Sequence, residues 1–410
     1  MRANYLCVLF CTLFLPILFA AACEKSRETL LVAPLAINDH DTTFVHPGLL
    51  HTAAAFERMK TKVAAGTEPW LSGWNKLTSN AHSSTSWTAS PQAIVYRGAD
   101  GVHPENYSLL FNDVAAAYAS ALRWKVSGDE VYAKQSISIM NAWSAQLTLL
   151  AGNNDSVLAA GLYGYEFANA AEIMRTYKGW SASDLARFQR MMLKVFYPVN
   201  HTFITRWERC MGHYYANWDL CNMCSLLAIG VLCDDRDIYN EAITYFKYGA
   251  GNGNIKNAVY YVHDDGLGQW QESGRDQGHT MLGMALMGAF CEMAWSQGDD
   301  LYGYDDNRFL KGAEYVAKYN LGQDVPYVAY TNCLGVNQTV ISEASRGNAR
   351  PVWELIYNHY VKLKGLSAPY TTQYAANVRP EGGGGNYSSG SGGYDQLGYG
   401  TLTCTLDDGQ

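Results

Sequence analysis

Nine stretches of this chain, roughly 108–126, 129–148, 157–177, 183–197, 211–233, 236–250, 277–297, 306–320 and 350–364, carry apolar residues at three- and four-residue spacing, as in LLFNDVAAAYASALRW and YEFANAAEIMRTY. That period belongs to helices with a buried face. An earlier stretch, HPGLLHTAAAFERMKTKVAAG, adds a further amphipathic helix, whereas the Ser/Thr-rich residues 77–101 read as loop. Between helices stand SGDE, GWSASD and SQGDD, whose Ser and Asp residues can cap the helix that follows. No series of alternating strands accompanies them, so the expected class is all-α. Helices of this length joined by short turns pair as antiparallel hairpins, and a long row of pairs winds into a solenoid or closes into an (α/α) toroid. No fixed-period repeat is present, which favours the toroid, incomplete or closed. In such a ring the inner helices each present one end to a shared cleft.

Hydrophobic residues make up 48% and charged residues 17% of the chain, enough for one sizeable core, and a single domain over 23–410 is expected. Its last part, 380–410, has the Gly/Ser content of a flexible tail. Tyr387, Tyr394, Leu397, Tyr399, Leu402 and Cys404 are more apolar than a spacer needs, so packing back on the helices stays equally open. The 29 Tyr and 11 Trp suit either a sugar-binding groove or simple helix packing. A net charge of -8 argues against nucleic acid as a partner. An acidic ligand remains compatible if a few Arg and His residues converge locally.

Residues 1–22 follow the pattern of a secretory signal, with an early Arg, a short apolar run broken by Pro16, and small residues at the end. A membrane anchor is not expected. Cys23 behind those small residues also fits a bacterial lipoprotein. Five N-glycosylation sequons, at Asn106, Asn154, Asn200, Asn337 and Asn386, point instead to a secreted eukaryotic glycoprotein. Once Cys7 and Cys11 leave with the signal, eight Cys remain, suited to disulfides or buried thiols in an oxidising compartment. Cys221 and Cys224 form a lone CxxC without further ligands at zinc spacing, so no metal site is expected.

Two polar constellations precede greasy helices. The first, MGHYYANWDLCNMC, holds His213, Tyr215, Asn217 and Trp218, and places His213 and Asn217 on one face if the helix already includes both. The second, QWQESGRDQGHTMLGM, gathers Trp270, Glu272, Arg275, Asp276, Gln277 and His279. Polar groups at such positions are costly unless hydrogen-bonded or used. Both constellations also admit a purely structural reading as caps and ion pairs. Neither offers an obvious nucleophile. Eliminative cleavage of a polyuronate asks for this set: cation and amide donors neutralise the uronate carboxylate, a His or Tyr takes the C5 proton, and a Tyr protonates the leaving oxygen. No metal or cofactor is required.

HYYANW before one long helix and QESGRDQGHT about sixty residues later resemble the alginate-lyase-like polysaccharide lyases with an (α/α) toroid, most closely the family 38 lyases of alginate and glucuronan. The resemblance spans roughly 45–400 and implies an Asn–His pair on one helix with an Arg and a Tyr on another. Arg275 matches the Arg; Trp218 stands where the His is expected, and His279 where the Tyr is expected. On this reading Asn217, His213 and Arg275 neutralise the carboxylate, and His279 assists them or acts as base. Tyr215 donates the proton, with Tyr163, Tyr165, Tyr302 and Tyr394 as alternatives. Arg97, Tyr163, Tyr165, Trp218, Trp270, Glu272 and Gln277 would line sugar subsites. Two other readings compete. A toroid hydrolase would pair Glu272 or Asp276 with Asp219 or Glu166 across the cleft, and a non-catalytic carbohydrate-binding or scaffold protein would keep the aromatics but tolerate loss of Arg275 and His279.

Overall fold

The helices begin where the sequence supplies caps. In the computed structural model, which describes residues 43–385 and 393–407, Thr52 caps α1 (Ala53–Ala64), Asp129 caps α4 (Glu130–Gln146), and Ser181 caps α6 (Ala182–Met191). Between these lie α2 (Trp70–Thr78), α3 (Tyr107–Ser127) and α5 (Ser156–Met174). After α6 a π-turn over Met192–Phe196 leads into α7 (Tyr197–Ile204), followed by α8 (Ala216–Leu232), α9 (Arg236–Tyr248) and the short α10 (Ile255–Ala258). The chain continues through α11 (Gln277–Trp295), α12 (Tyr304–Asn320), α13 (Trp353–Tyr357), α14 (Pro369–Val378) and α15 (Gly400–Thr403).

Helices α5, α8 and α11 are buried on nearly every side, from Ala159 to Met174 without a break in α5. A helix apolar all round belongs between other helices. Accordingly α3 packs on α5, α5 on α8, α8 on α11, and α11 on α13; α15 and α1 complete the circuit back to α3. Outer helices flank the inner ones, α4 on α3, α7 on α5, α9 on α8, α12 on α11 and α14 on α13. This is the (α/α) toroid. Because inner and outer helices alternate along the chain, successive inner helices run the same way, and their N-termini gather on one rim.

Three two-stranded pairs decorate that rim. Ile94–Arg97 lies parallel to Leu149–Gly152, Val259–Val262 is antiparallel to Gly268–Trp270, and Tyr330–Thr331 is antiparallel to Asn337–Gln338. Ile94–Arg97 falls inside the stretch read as loop; these strands are too short for an alternating pattern to register. α2, α7 and α14 also escape the sequence pattern, and the reading of a helix from 211 is corrected: 211–213 is a 3-10 turn, and α8 starts at Ala216. His213 therefore shares no helical face with Asn217.

The Gly/Tyr-rich end packs back on the ring. Tyr394, Leu397, Tyr399 and Leu402 are buried, and backbone hydrogen bonds tie Gly384 to Leu397 and Tyr399 to Gly382. Among the described residues no helix is long and apolar enough to cross a membrane.

Cys210 and Cys333 form a disulfide, while Cys221, Cys224 and Cys291 are buried thiols. Asn200 is corrected as a sequon: it is fully buried, and its amide donates to Asn222. The Asn106 amide is likewise engaged, holding Tyr96 and Ile94. Asn154 and Asn337 are exposed. The signal segment, Cys23, Tyr387 and Asn386 lie outside the described residues.

Candidate active site

Helix α8 opens without a side-chain cap of its own, since Tyr215 at its N-cap makes no such bond. The first N–H groups of a helix need acceptors. Here they come from the other constellation: Ala216 N donates to Gln271 Oε1 (3.1 Å), and Asn217 N donates to Glu272 Oε2 (3.2 Å). Consecutive residues of the QESGRD turn thus cap α8, which brings the two polar motifs together.

Glu272 is fully buried, and its second oxygen receives Arg275 Nη1 at 2.9 Å. Burial pushes the Glu272 carboxyl up to about 7, opposed by Arg275, His279 and the Asn217 N–H. The Arg275 guanidinium lies over the Tyr215 ring, 4.1 Å from its centroid, a cation–π contact that fixes its plane. Its Nη2 donates to His279 Nε2 at 3.1 Å.

Asp276 caps α11 by accepting from His279 N at 2.7 Å, and its other oxygen accepts from His279 Nδ1 at 2.7 Å. With Nδ1 donating to a carboxylate and Nε2 facing an arginine donor, the hydrogen-bond partners assign the ring proton to Nδ1. The Nε2 lone pair is therefore the basic one. The side chains of Arg275 and His279 are 25% and 40% exposed, whereas that of Glu272 is not exposed at all. Asn217 is buried with its Oδ1 lacking any hydrogen-bond partner in the protein. A solvent-facing Arg–His pair thus stands on a buried acidic and amide floor.

A second cationic group approaches through the C-terminal segment. Arg97 donates to Tyr163 Oη at 3.0 Å, with its guanidinium over the rings of Tyr107 and Tyr163. Asp395, buried and pushed up to about 6 by that burial, feels the opposing charges of Arg350, Arg97 and His279. Arg350 donates to Gln396 Oε1 at 3.0 Å. Nothing in the sequence marks Asp395 and Gln396 as site neighbours, because they sit in a Gly-rich tail.

Of the expected residues, Tyr215, Asn217, Glu272, Arg275 and His279 come together, and Arg97 and Tyr163 form a linked pair. Others take structural places. His213 is turned away: its Nδ1 faces the Cys210 carbonyl and Glu208, and its ring packs tilted against Tyr214 within a cluster that includes Phe203 and Trp218. Trp218 thus packs rather than presenting a free face. Trp270 is fully buried against Gly283, where a Cβ would stand 2.5 Å from its ring. Gln277 is buried, holding the Ser273 and Ser342 carbonyls and accepting from Asn320. Tyr165 is buried and donates to the Asp395 carbonyl; Tyr302 stacks on His359 and donates to Glu292. Tyr394 pairs with His82, and Tyr163 is committed to Arg97. None of these alternative phenols has the exposure of a proton donor, and Tyr215 alone touches Arg275.

The hydrolase reading loses its carboxylates. Asp219 is fully buried and bonded to Arg206, Tyr245 and Gly253 N, and Glu166 is buried beside Tyr165.

A family model described as alginate lyase matches residues 67–325. No curated protein shows a significant sequence match to the chain. Among solved structures, alginate lyase A1-III from Sphingomonas species A1 superposes with a TM-score of 0.60 at 14% identity, covering 89% of this chain and 98% of that one. An alginate lyase from Bacteroides ovatus gives 0.57 at 14% identity, with 88% and 100% covered. A Tyr-to-Phe variant of A1-III complexed with tetrasaccharide also gives 0.57 at 14% identity, with 88% and 96% covered.

Proposed function

Since the chain belongs to the alginate lyase family and is a polysaccharide lyase, we propose that it cuts a uronic-acid polymer by β-elimination, with alginate or polymannuronate and glucuronan as the substrates to test. The observation that carries this reading is the Asn217–Glu272–Arg275–His279 constellation. It pairs a cation and an amide, whose Nδ2 can donate, with a histidine whose basic nitrogen faces the same cation.

In the proposed reaction the uronate carboxylate takes Arg275 and the Asn217 amide as partners. Their donors stabilise the charge that develops when C5 loses its proton. Arg275 leaves His279 Nε2 to meet the carboxylate, so substrate binding itself frees the base. Nε2 accepts the C5 proton, the C5–H electrons form the C4–C5 double bond, and the C4–O bond breaks. Tyr215 protonates the departing oxygen, and exchange with water restores both groups. The route draws on protein groups alone, because Arg275 supplies the positive charge that a metal would otherwise bring. The tetrasaccharide bound by a structural neighbour supports an oligosaccharide-sized site. The Cys210–Cys333 disulfide supports a secreted protein, matured in an oxidising compartment.

Ultraviolet absorbance of unsaturated product, followed on alginate, polymannuronate, glucuronan and chondroitin, tests the reading. Arg275→Ala should abolish product while the protein stays folded, with a lowered unfolding temperature because the buried Glu272 loses its partner. Saturated products, or full activity in that variant, would refute it.

A further inference from the structure

Tyr330 lies outside both sequence motifs, on a hairpin of two-residue strands, Tyr330–Thr331 and Asn337–Gln338. So small a hairpin is marginal by itself, and its tip buries little, with Leu334 65% exposed and Val336 39% exposed. What anchors it is Cys333, bonded to Cys210 immediately before the turn that leads into α8. At the hairpin base, Gly274 leaves room that a Cβ would close, standing 2.2 Å from Tyr327 Oη and 2.7 Å from Gln338. The hairpin is thereby tied to both halves of the site.

Its phenol points inward to polar company. Tyr330 Oη donates to Asn252 Oδ1 at 3.4 Å, with Gln271, Tyr215 and Glu272 as its other polar neighbours. Asn252 Nδ2 in turn donates to the carbonyls of Gly212 (3.0 Å) and Tyr214 (2.7 Å), fixing the segment that delivers Tyr215. Gln271 is the residue that caps Ala216 N. One hydroxyl therefore bonds the residue that holds the Tyr214 segment and lies beside the residue that caps Ala216 N.

We propose that Tyr330 is a positioning residue for the elimination, setting Tyr215 through Asn252, and that the Cys210–Cys333 disulfide serves to hold Tyr330 there. The proposal rests on the lyase reading above. Misplacing reacting groups by about 1 Å costs up to about a hundredfold in rate, so loss of this hydroxyl should lower kcat and not substrate affinity.

The test is a double-mutant cycle on the full chain, assayed by unsaturated product well below the unfolding temperature. Tyr330→Phe should lower kcat about tenfold, with KM and the unfolding temperature unchanged. The Cys210→Ser/Cys333→Ser pair should lower kcat similarly and also lower the unfolding temperature. Combined with Tyr330→Phe, it should be no slower than the worse parent, because residues acting through one contact are not additive. Wild-type kcat in Tyr330→Phe overturns the positioning role, and a fully additive cycle overturns the link to the disulfide. Arg275→Ala, run alongside, separates the two levels. If it is inactive while Tyr330→Phe is normal, only the Tyr330 proposal fails; if it is active, the site reading itself fails.

Discussion

Glu272 Oε2 accepts the backbone N–H of Asn217 at 3.2 Å while its Oε1 holds Arg275 at 2.9 Å. One buried carboxylate thus joins the helix that carries the amide to the turn that carries the cation. Removing its charge should loosen both. Glu272→Gln keeps an acceptor for Asn217 N but loses the ion pair, and should reduce kcat/KM by about tenfold to a hundredfold. Because burial raises the carboxyl to about 7, its ionised, Arg-holding form accumulates as pH rises through that value. The wild-type kcat/KM should therefore climb across about pH 6–8 with this group, and the Gln variant should lose that limb. An unchanged profile in Glu272→Gln would rule the group out as its source.

Asp276 serves α11 and His279 at once. Asn is as good an N-cap as Asp, so Asp276→Asn should leave the unfolding temperature nearly unchanged. It removes the carboxylate that keeps the ring proton on Nδ1 and Nε2 basic. The kcat should fall by about a hundredfold or more, within the range of general-base losses. Steady-state kinetics beside calorimetry separate the two effects.

Trp270 tests the difference between a subsite and a core residue. It is fully buried, and Gly283 makes room for its ring. Trp270→Ala should destabilise the protein by about 3–5 kcal/mol, measured by denaturant unfolding. A sugar-platform role would instead raise KM with stability intact.

The carboxyls of the buried Asp395 and the partly buried Glu292 are raised by their surroundings. Burial raises Asp395 to about 6 and Glu292 to about 7. A raised pKa means the folded state binds the proton more tightly, so this stability is fully present below the ordinary carboxylate range and is lost as pH rises through 6 to 7. Asp234 and Asp300 shift the other way; burial opposes the shift, but hydrogen bonds from His46 and Lys364 respectively lead the lowering. Their contribution is present above the ordinary range and fades only as pH falls below it. The unfolding temperature should therefore be higher near pH 5 than near pH 8. Glu292→Gln, distant from the catalytic groups, should flatten that slope by an amount worth up to about 3 kcal/mol. A slope that Glu292→Gln leaves unaltered would count against this assignment.

The helices were legible because their information is local. Apolar spacing defined α3 to α6, α8, α9, α11 and α12 to within a few residues, and Asp129 and Ser181 cap where the punctuation placed them. The polar starts of α8 and α11 were legible for the same reason, and with them Asn217, Arg275 and His279. Which polar residues face the site was not legible, because that depends on partners far away in sequence. His213 looked like a companion of Asn217 until the helix began three residues later and Glu208 claimed its ring. Trp270 and Gln277 looked like subsites until Gly283 and Asn320 closed around them. Asp395, Asn252 and Tyr330 carry no local signal at all. The sequence by itself determined a ring of helices and the chemical types of the groups at its rim, since periodicity and capping act within a few residues. Only the tertiary structure decided which of those groups share a site, since Glu272 can cap Asn217 and hold Arg275 only after two distant helix starts have been packed side by side.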